Sequence, residues 1–502
     1  MKKTIQRILS CAILCTLFIC NLPAASATEL PDVPDDFWAA EAIQKCVGAG
    51  YYYPESDGSF GVGKEVTRAE FTVLLCRFFN WKPTVPPTQI YDDVTPDLWY
   101  AGAVEIAFRQ GALTNVSENF HPDECITRED LAVMLVRALG YGTFAGLAQQ
   151  LRSIFPDVKS NAGYISIIYG LGLMDGTSAT TFSPSDFVTR EQVAAILVRM
   201  HEKLREASPS RSGIFSSAKN LPDLTGFETI AVTAYRMTYN GLPGLAVNME
   251  PEEVETIRDE AQAAGVPQLL RITGTAYQFR EGDAADLAEV ILETVKAEDY
   301  DGVFLEITGL TSTPQRRELT TTAELLRKGL DNQILYIAAE APTWQGRLPG
   351  YDYTALGEIA DRLVLMIESP VESIGDLTTA PLEPLEETYY SLSRMRGLVD
   401  AGKLSLMVSS TAYAWGNGIR GEALPGTKVA EILAGQQTRS FYSDRFACAY
   451  LESQWEDIPV TIWYLNGQAV EARIQLGRLF NVEQLCVQEL DSALPEFLEA
   501  LP

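Results

Sequence analysis

Three threonine–arginine pairs and one buried acid carry what chemistry this sequence offers. The pairs are Thr67-Arg68, Thr127-Arg128 and Thr189-Arg190, each preceded by an apolar residue. Their threonines are 127 − 67 = 60 and 189 − 127 = 62 residues apart. Thr67-Arg68-Ala69-Glu70 reads as a capping box, with threonine as N-cap and a glutamate three residues on. Thr189 to Gln192 fits the same rule, and Thr127 to Asp130 is the weaker copy because aspartate is shorter. Capping explains the threonines but not the arginines. A cation in a first helical turn opposes the helix dipole, at a cost of about 0.3–1 kcal/mol. Beside the free N–H groups of a helix start, such an arginine makes an anion site. The plainer alternative is three surface arginines that pack their stems. The acid is Glu306, in the stretch Tyr300-Asp301-Gly302-Val303-Phe304-Leu305-Glu306-Ile307-Thr308-Gly309.

That stretch is short, apolar and closed by glycine, which predicts a buried parallel strand. Alternate residues of a strand share a face. Phe304, Glu306 and Thr308 therefore point one way, and Val303, Leu305 and Ile307 the other. An acid on the inner face needs partners. Any catalysis here belongs at the C-terminal end of this strand.

The elements around the arginines form one unit written three times. Each copy opens with Asp-Val, at Asp32, Asp93 and Asp157. After each Thr-Arg comes a helical stripe at i, i+3, i+4, i+7, as in Phe71, Leu74, Leu75 and Phe78. A fixed period of this kind marks a repeated module. A polar hinge rich in Ser follows at 206–212. From 213 onward apolar strands alternate with amphipathic helices. Strands are predicted near 213–216 and at 229–235, 268–273, 302–308, 333–339, 362–367, 404–410 and 482–490. Helices are predicted at 252–264, 286–296 and 470–479, among others. Eight strands in this alternation predict a (β/α)8 TIM barrel, with an open doubly wound sheet as the alternative.

The chain has 502 residues and a formal charge of −28, which argues against a nucleic-acid partner. Lys2, Lys3 and Arg7 precede an apolar run at 8–20, and Ala25-Ser26-Ala27 fits a cleavage site, so 1–27 read as a secretion signal rather than a membrane span. Cys46, Cys76, Cys125, Cys448 and Cys486 remain, an odd and sparse set that is neither a disulfide framework nor a metal pattern. Cys46 and Cys76 could pair, though buried free thiols are the simpler reading. With only His121 and His201, a zinc site or a Ser-His-Asp triad has little to work with. No cofactor is expected.

The repeats, at 28–85, 86–147 and 148–205, resemble S-layer homology (SLH) domains. The opening Asp-Val, Phe37-Trp38-Ala39, Leu98-Trp99-Tyr100 and the Thr-Arg helix starts carry the resemblance. It implies an α-helical triplet, a pseudo-threefold spindle that holds the secondary cell-wall polymer, often a pyruvylated glycan, in grooves between repeats. It implies ligand contacts at Arg68, Arg128 and Arg190, with Thr67, Thr127 and Thr189 at the same helix starts. Trp38 and Trp99 would be groove walls or stacking rings. The third copy has Ala162-Gly163-Tyr164 at this place, which puts its groove in question.

Residues 213–502 resemble the glycoside hydrolase family 18 barrels of spore and cell-wall proteins. Ala264-Gly265-Val266-Pro267, the stretch from Tyr300 to Thr308, Val364-Leu365-Met366 and Tyr413-Ala414-Trp415 carry it. The resemblance puts the family's catalytic Glu at Thr308, its preceding Asp at Glu306, its Tyr-Asp pair at Glu368-Ser369 and its floor Trp at Gln488. Threonine is no acid at neutral pH. Glu306 lies about 6.6 Å deeper along the strand, and a misplacement of about 1 Å can cost about 100-fold in rate. The implied barrel is thus a binding or scaffold module, with Glu306, Glu368, Tyr413 and Trp415 as sugar-binding candidates and Tyr235, Trp463 and Glu489 beside them. The whole reads as a secreted, wall-anchored multidomain protein of the S-layer type. Its barrel would bind peptidoglycan or a chitin-type glycan. An active glycosidase and a plain structural S-layer component are the alternatives.

Overall fold

The computed structural model describes residues 30–83, 88–114, 117–151, 153–205, 209–343, 346, 348–367, 379, 383–435, 438–444, 446–455 and 458–502. The predicted secretion signal lies outside them. The chain divides into two units, Met1–Ala207 and Ser208–Pro502. The five cysteines are free thiols.

The first unit is helical: α1 (Ala40–Gly48), α2 (Arg68–Phe78), α3 (Ala101–Arg109), α4 (Arg128–Ala138), α5 (Gly142–Ala148), α6 (Ala162–Gly170) and α7 (Arg190–Arg205). Thr67 accepts from Glu70 N (3.2 Å) while Glu70 Oε2 accepts from Thr67 N (2.9 Å), closing the predicted capping box. Thr127 caps α4 through Asp130 N at 3.1 Å. The third copy differs from expectation. Gln192 reaches back to Thr189 N at 3.2 Å, but the buried Thr189 hydroxyl has no partner among the described residues. The residues just before the threonines form a ring of backbone bonds. Val66 N donates to Val188 O (3.0 Å), Val188 N to Ile126 O (3.2 Å), and Ile126 N to Val66 O (2.8 Å). Each repeat thereby bonds to both others. Around this ring the helices meet in three equivalent joints: α2 with α3, α4 with α6, and α7 with α1.

The second unit is built on eight parallel strands: β1 (Ser210–Phe215), β2 (Phe227–Tyr239), β4 (Gln268–Thr275), β5 (Gly302–Thr308), β6 (Ile334–Glu340), β7 (Arg362–Met366), β8 (Leu404–Ser409) and β14 (Gln484–Gln488). β14 pairs with β1 and β1 with β2, so the sheet closes. A short β3 (Pro243–Val247) pairs antiparallel with the far end of β2. Helices α8 (Pro251–Ala264), α9 (Ala284–Ala297), α10 (Thr313–Leu330), α11 (Tyr353–Ile359), α12 (Leu385–Met395) and α14 (Gly467–Phe480) lie between barrel strands, and α15 (Pro495–Glu499) follows the last. No helix lies between β1 and β2 among the described residues. Residues 210–212, predicted as linker, belong to β1: all three pair with β14, and Arg211 and Ser212 pair with β2 as well. On β5 the predicted alternation holds. Phe304 joins Leu269, Tyr336, Met407 and Cys486 in the barrel core. Val303, Leu305 and Ile307 are fully buried on the other face.

One feature breaks the expected alternation. Between β8 and α14 the chain inserts helix α13 (Gly426–Leu433) and a five-stranded antiparallel sheet of order β10-β9-β13-β12-β11. Its strands are β9 (Ala412–Gly416), β10 (Ile419–Leu424), β11 (Arg439–Ser443), β12 (Cys448–Trp455) and β13 (Ile458–Tyr464). Tyr413, Trp415 and Trp463 stand on this sheet and not on barrel strands.

Candidate functional site

In the first unit each arginine locks one repeat to the next. Arg68 Nε donates to Phe120 O (2.9 Å), Arg128 Nε to Phe182 O (2.9 Å) and Arg190 Nε to Phe60 O (2.8 Å). Each guanidinium also lies over the ring of that phenylalanine, at 5.1, 4.6 and 5.1 Å. The same phenylalanines give their N–H to the opening aspartates: Phe60 to Asp32 (2.6 Å), Phe120 to Asp93 (2.7 Å) and Phe182 to Asp157 (3.0 Å). Burial alone would raise the Asp32 carboxyl, but the N–H groups of Val62, Phe60 and Gly61 outweigh it and hold the pKa below the usual range. The phenylalanines were missed in the sequence although each stands eight residues before its repeat's arginine: 68 − 60, 128 − 120 and 190 − 182.

These contacts correct the basis of the expected anion sites. The first helical N–H groups are not free. Arg68 N donates to Glu124 O, Ala69 N to Pro122 O, Arg128 N to Asp186 O, Glu129 N to Pro184 O and Arg190 N to Lys64 O. The adverse charge at each helix start is explained by the lock it forms. The Arg190 side chain is 9% exposed and also faces Glu55 at 3.4 Å, whereas Arg68 is 21% exposed and faces Asp130 at 3.2 Å.

Trp38 and Trp99 are 63% and 68% exposed. The third repeat is built otherwise. A Cβ on Gly163 would come within 1.9 Å of Ala145 O, a backbone atom of α5. Gly163 N donates to Gln149 Oε1 at 2.8 Å, just past the end of α5. Counted from the helix caps Ala39, Tyr100 and Asn161, the tryptophan position of the third repeat falls at Ser160 and not at Gly163 as expected; Gly163 lies inside α6, where α5 packs against it.

In the barrel, Glu306 is held by Arg271 on the neighbouring strand β4. Arg271 Nη2 and Nε lie 2.7 and 3.1 Å from Glu306 Oε2. Arg271 Nη1 donates to Thr233 Oγ1 at 2.9 Å. Both members of the pair are buried. Glu306 Oε2 thus accepts two hydrogen bonds from one guanidinium. Thr308 is partly buried at the strand end and its hydroxyl reaches Gly274 O at 3.5 Å. At the next strand end, Glu340 Oε2 accepts from Gly309 N (3.1 Å) and Tyr351 OH (2.9 Å).

Glu489 follows β14 in a left-handed conformation (φ 56°), a rare state for a non-glycine residue. Its Oε1 accepts from Ser216 Oγ at 3.1 Å. Burial and the nearby Asp491 raise its pKa. Burial pushes the fully enclosed Glu383 up to about 7, although Arg473 and the N–H of Ser409 (3.0 Å) favour its anion. Tyr413 is half-buried, and burial, Glu383 and Glu489 raise its phenol. Trp415 and Trp463 are each 7% exposed, and their indole N–H groups lack a partner among the described residues. Gln488 is half-buried at the last strand's end. Tyr235 instead bonds Glu298, and Glu368 lies outside the described residues. The described residues hold no cluster of three His, Cys, Asp or Glu suited to a metal, and no helix long and apolar enough to cross a membrane.

Comparison with known proteins matches this geometry. The profile of the S-layer homology domain matches residues 31–72, 90–132 and 154–194. The first unit therefore carries three S-layer homology domains. The chain is 28% identical over 176 residues to an exoglucanase of Acetivibrio thermocellus, covering 34% of this chain and 16% of the relative. It is 27% identical over 283 residues to the surface-layer 125 kDa protein of Lysinibacillus sphaericus, covering 54% of this chain and 22% of the relative. The matched part is thus under a quarter of either relative's length. Among solved structures, a chitinase of Chromobacterium violaceum aligns with TM-score 0.50 and 17% identity, over 59% of this chain and 98% of that one. A class V chitinase of Pseudomonas fluorescens gives TM-score 0.50 and 16% identity, over 59% and 98%. The second unit shares their barrel fold.

Proposed function

We propose that this is an exported protein that holds the bacterial cell wall through its three S-layer homology domains and presents a barrel that binds glycan without cleaving it. The observation that carries the second part is the pairing of Thr308 with a locked Glu306. The strand end where an acid is needed has a hydroxyl, and the acid below it is neutralised by Arg271. The ligand of the first unit is the secondary cell-wall polymer, an acidic and often pyruvylated glycan. Thr67, Arg68, Thr127, Arg128, Thr189 and Arg190 frame its sites, with Trp38 and Trp99 at the rims. The barrel's ligand is an N-acetylglucosamine-containing glycan of peptidoglycan or chitin type. Tyr413, the Trp415 indole and Glu489 are the polar and aromatic groups on offer.

One observation favours a second reading, an active glycosidase. Glu489 has a raised pKa and a strained backbone near a barrel strand end, as a relocated acid would. The test is release of reducing ends from chito-oligosaccharides and peptidoglycan by the intact protein and by Glu489→Gln. The first reading expects no release from either. Release by the wild type that is lost in Glu489→Gln would overturn it.

A further inference from the structure

The three joints of the first unit are equivalent in backbone but not in chemistry. At the joint between α2 and α3 lies an open groove of about 590 Å³ lined by Arg77, Lys82, Trp81 and Trp99 among others. No carboxylate is among its described lining residues. Arg77 is set in place by donating to Tyr51 O at 2.9 Å and lying over the Tyr53 ring at 4.8 Å. Trp81 stacks on Phe79 at 4.9 Å and 14°, which fixes its plane. Trp99 stands exposed at the rim. The joint between α7 and α1 holds a smaller cavity, about 380 Å³, where Glu202 stands among Lys45, His201 and Arg205. Lys45 there is already paired with Glu41 at 2.8 Å and faces Glu202 at 3.6 Å.

The joint between α4 and α6 is occupied. The extra helix α5 packs onto α6 so closely that Gly163 has no room for a Cβ. Arg137, nine residues after Arg128 as Arg77 is after Arg68, is bound by Tyr164 OH (3.0 Å) and Thr114 Oγ1 (2.9 Å), and lies over the Tyr164 ring at 5.2 Å. Both arginines are held by local partners, but Arg77 borders an open groove, whereas α5 packs against α6 at the joint of Arg137.

We propose that the α2–α3 joint is the principal wall-binding site, and that α5 has closed the α4–α6 joint, so the three domains do not bind in threefold fashion. The occupant is an anionic saccharide segment of the wall polymer. Two cations without a lining carboxylate select negative charge, and two tryptophan rings offer apolar faces to sugar C–H groups. Because the charges are partly exposed, binding falls as salt rises. The inference rests on the wall-anchoring reading above.

The test is co-sedimentation of the full chain with Gram-positive sacculi that retain a pyruvylated secondary polymer, beside the same sacculi stripped of it. Trp99→Ala and Lys82→Gln change exposed side chains and should leave the thermal unfolding midpoint unchanged. Together they should weaken binding at least tenfold and flatten its salt dependence. Arg137→Gln should leave binding within twofold of wild type. Wild-type affinity in the Trp99→Ala, Lys82→Gln double variant overturns the assignment, and so does an equal loss in Arg137→Gln protein that is still folded. Absence of wild-type binding to unstripped sacculi would overturn the anchoring reading itself, and this site with it.

Discussion

Arg271 and Glu306 face each other across two adjacent barrel strands, 2.7 Å apart and buried, one layer above the ring of Phe304, Tyr336 and Met407. In the fold the acid on β5 is ion-paired with this buried guanidinium. Glu306→Gln should therefore act on stability. Removing one partner of a buried pair costs about 3–5 kcal/mol. Denaturant unfolding should show that loss, and replacing both partners by apolar residues should cost less. An unchanged midpoint in Glu306→Gln would show that the pair is not formed in solution.

The arginine locks make an ordered prediction within the first unit. Arg190 is more enclosed than Arg68 and has Glu55, Tyr53 O and Phe60 O as partners. Arg190→Ala should cost about 2–3 kcal/mol, the scale of lost hydrogen bonds to a buried charge. Arg68→Ala, at a more open joint, should cost about 1 kcal/mol. Chemical denaturation of the two variants checks the order, and an inverted order would contradict the burial argument.

Glu383 predicts a pH dependence. Its folded pKa is raised from an ordinary 4.5 to about 7 by burial. The folded state keeps this proton while the unfolded chain releases it, so this group's contribution to stability falls as pH rises from about 4.5 to about 7 and then levels off. At about 1.4 kcal/mol per unit, the fall is on the order of 3 kcal/mol. Glu383→Gln keeps an acceptor for Ser409 N and should abolish the fall. Unfolding of both proteins at pH 5 and pH 7.5 measures it. Equal slopes for the two proteins would refute the assignment.

Gly163 is a steric test of the third repeat. With backbone at 1.9 Å from a built Cβ, Gly163→Ala must push α5 away. Overpacking of this kind costs about 1–3 kcal/mol. Calorimetry should find a lowered midpoint. A neutral substitution would mean that α5 is not seated on α6.

Much of this organisation is legible in the sequence because it is local. A capping box or a period-2 strand is specified by residues within a few positions, so the helix starts at Thr67 and Thr127 and the strand at Phe304 and Glu306 were predicted where they occur. The strands on both sides of β5 were legible for the same reason. What escaped depends on residues far apart in the chain. That the N–H groups after the threonines are used, by Glu124 O or Lys64 O, follows from repeats closing on one another. The partner of Glu306 lies thirty-five residues earlier, since 306 − 271 = 35. A signal was present, because Arg271 alternates with Leu269 inside an apolar strand and so must face the barrel interior. The inserted sheet was not predicted, since no strand was placed between 410 and 482, and its outer strands β10 and β11 are largely exposed and lack a clear apolar run. Asn417-Gly418 between β9 and β10 was the hairpin signal that marks it.

The most direct test of a wall-anchored barrel that binds without cutting joins both halves in one assay. The intact protein is incubated with sacculi that retain their secondary polymer, and the supernatant is followed for soluble reducing ends while the protein is tracked between pellet and solution. The account predicts protein in the pellet and no reducing ends above the protein-free control. Reducing ends that accumulate with time, and vanish when Glu489 is changed to Gln, would contradict it.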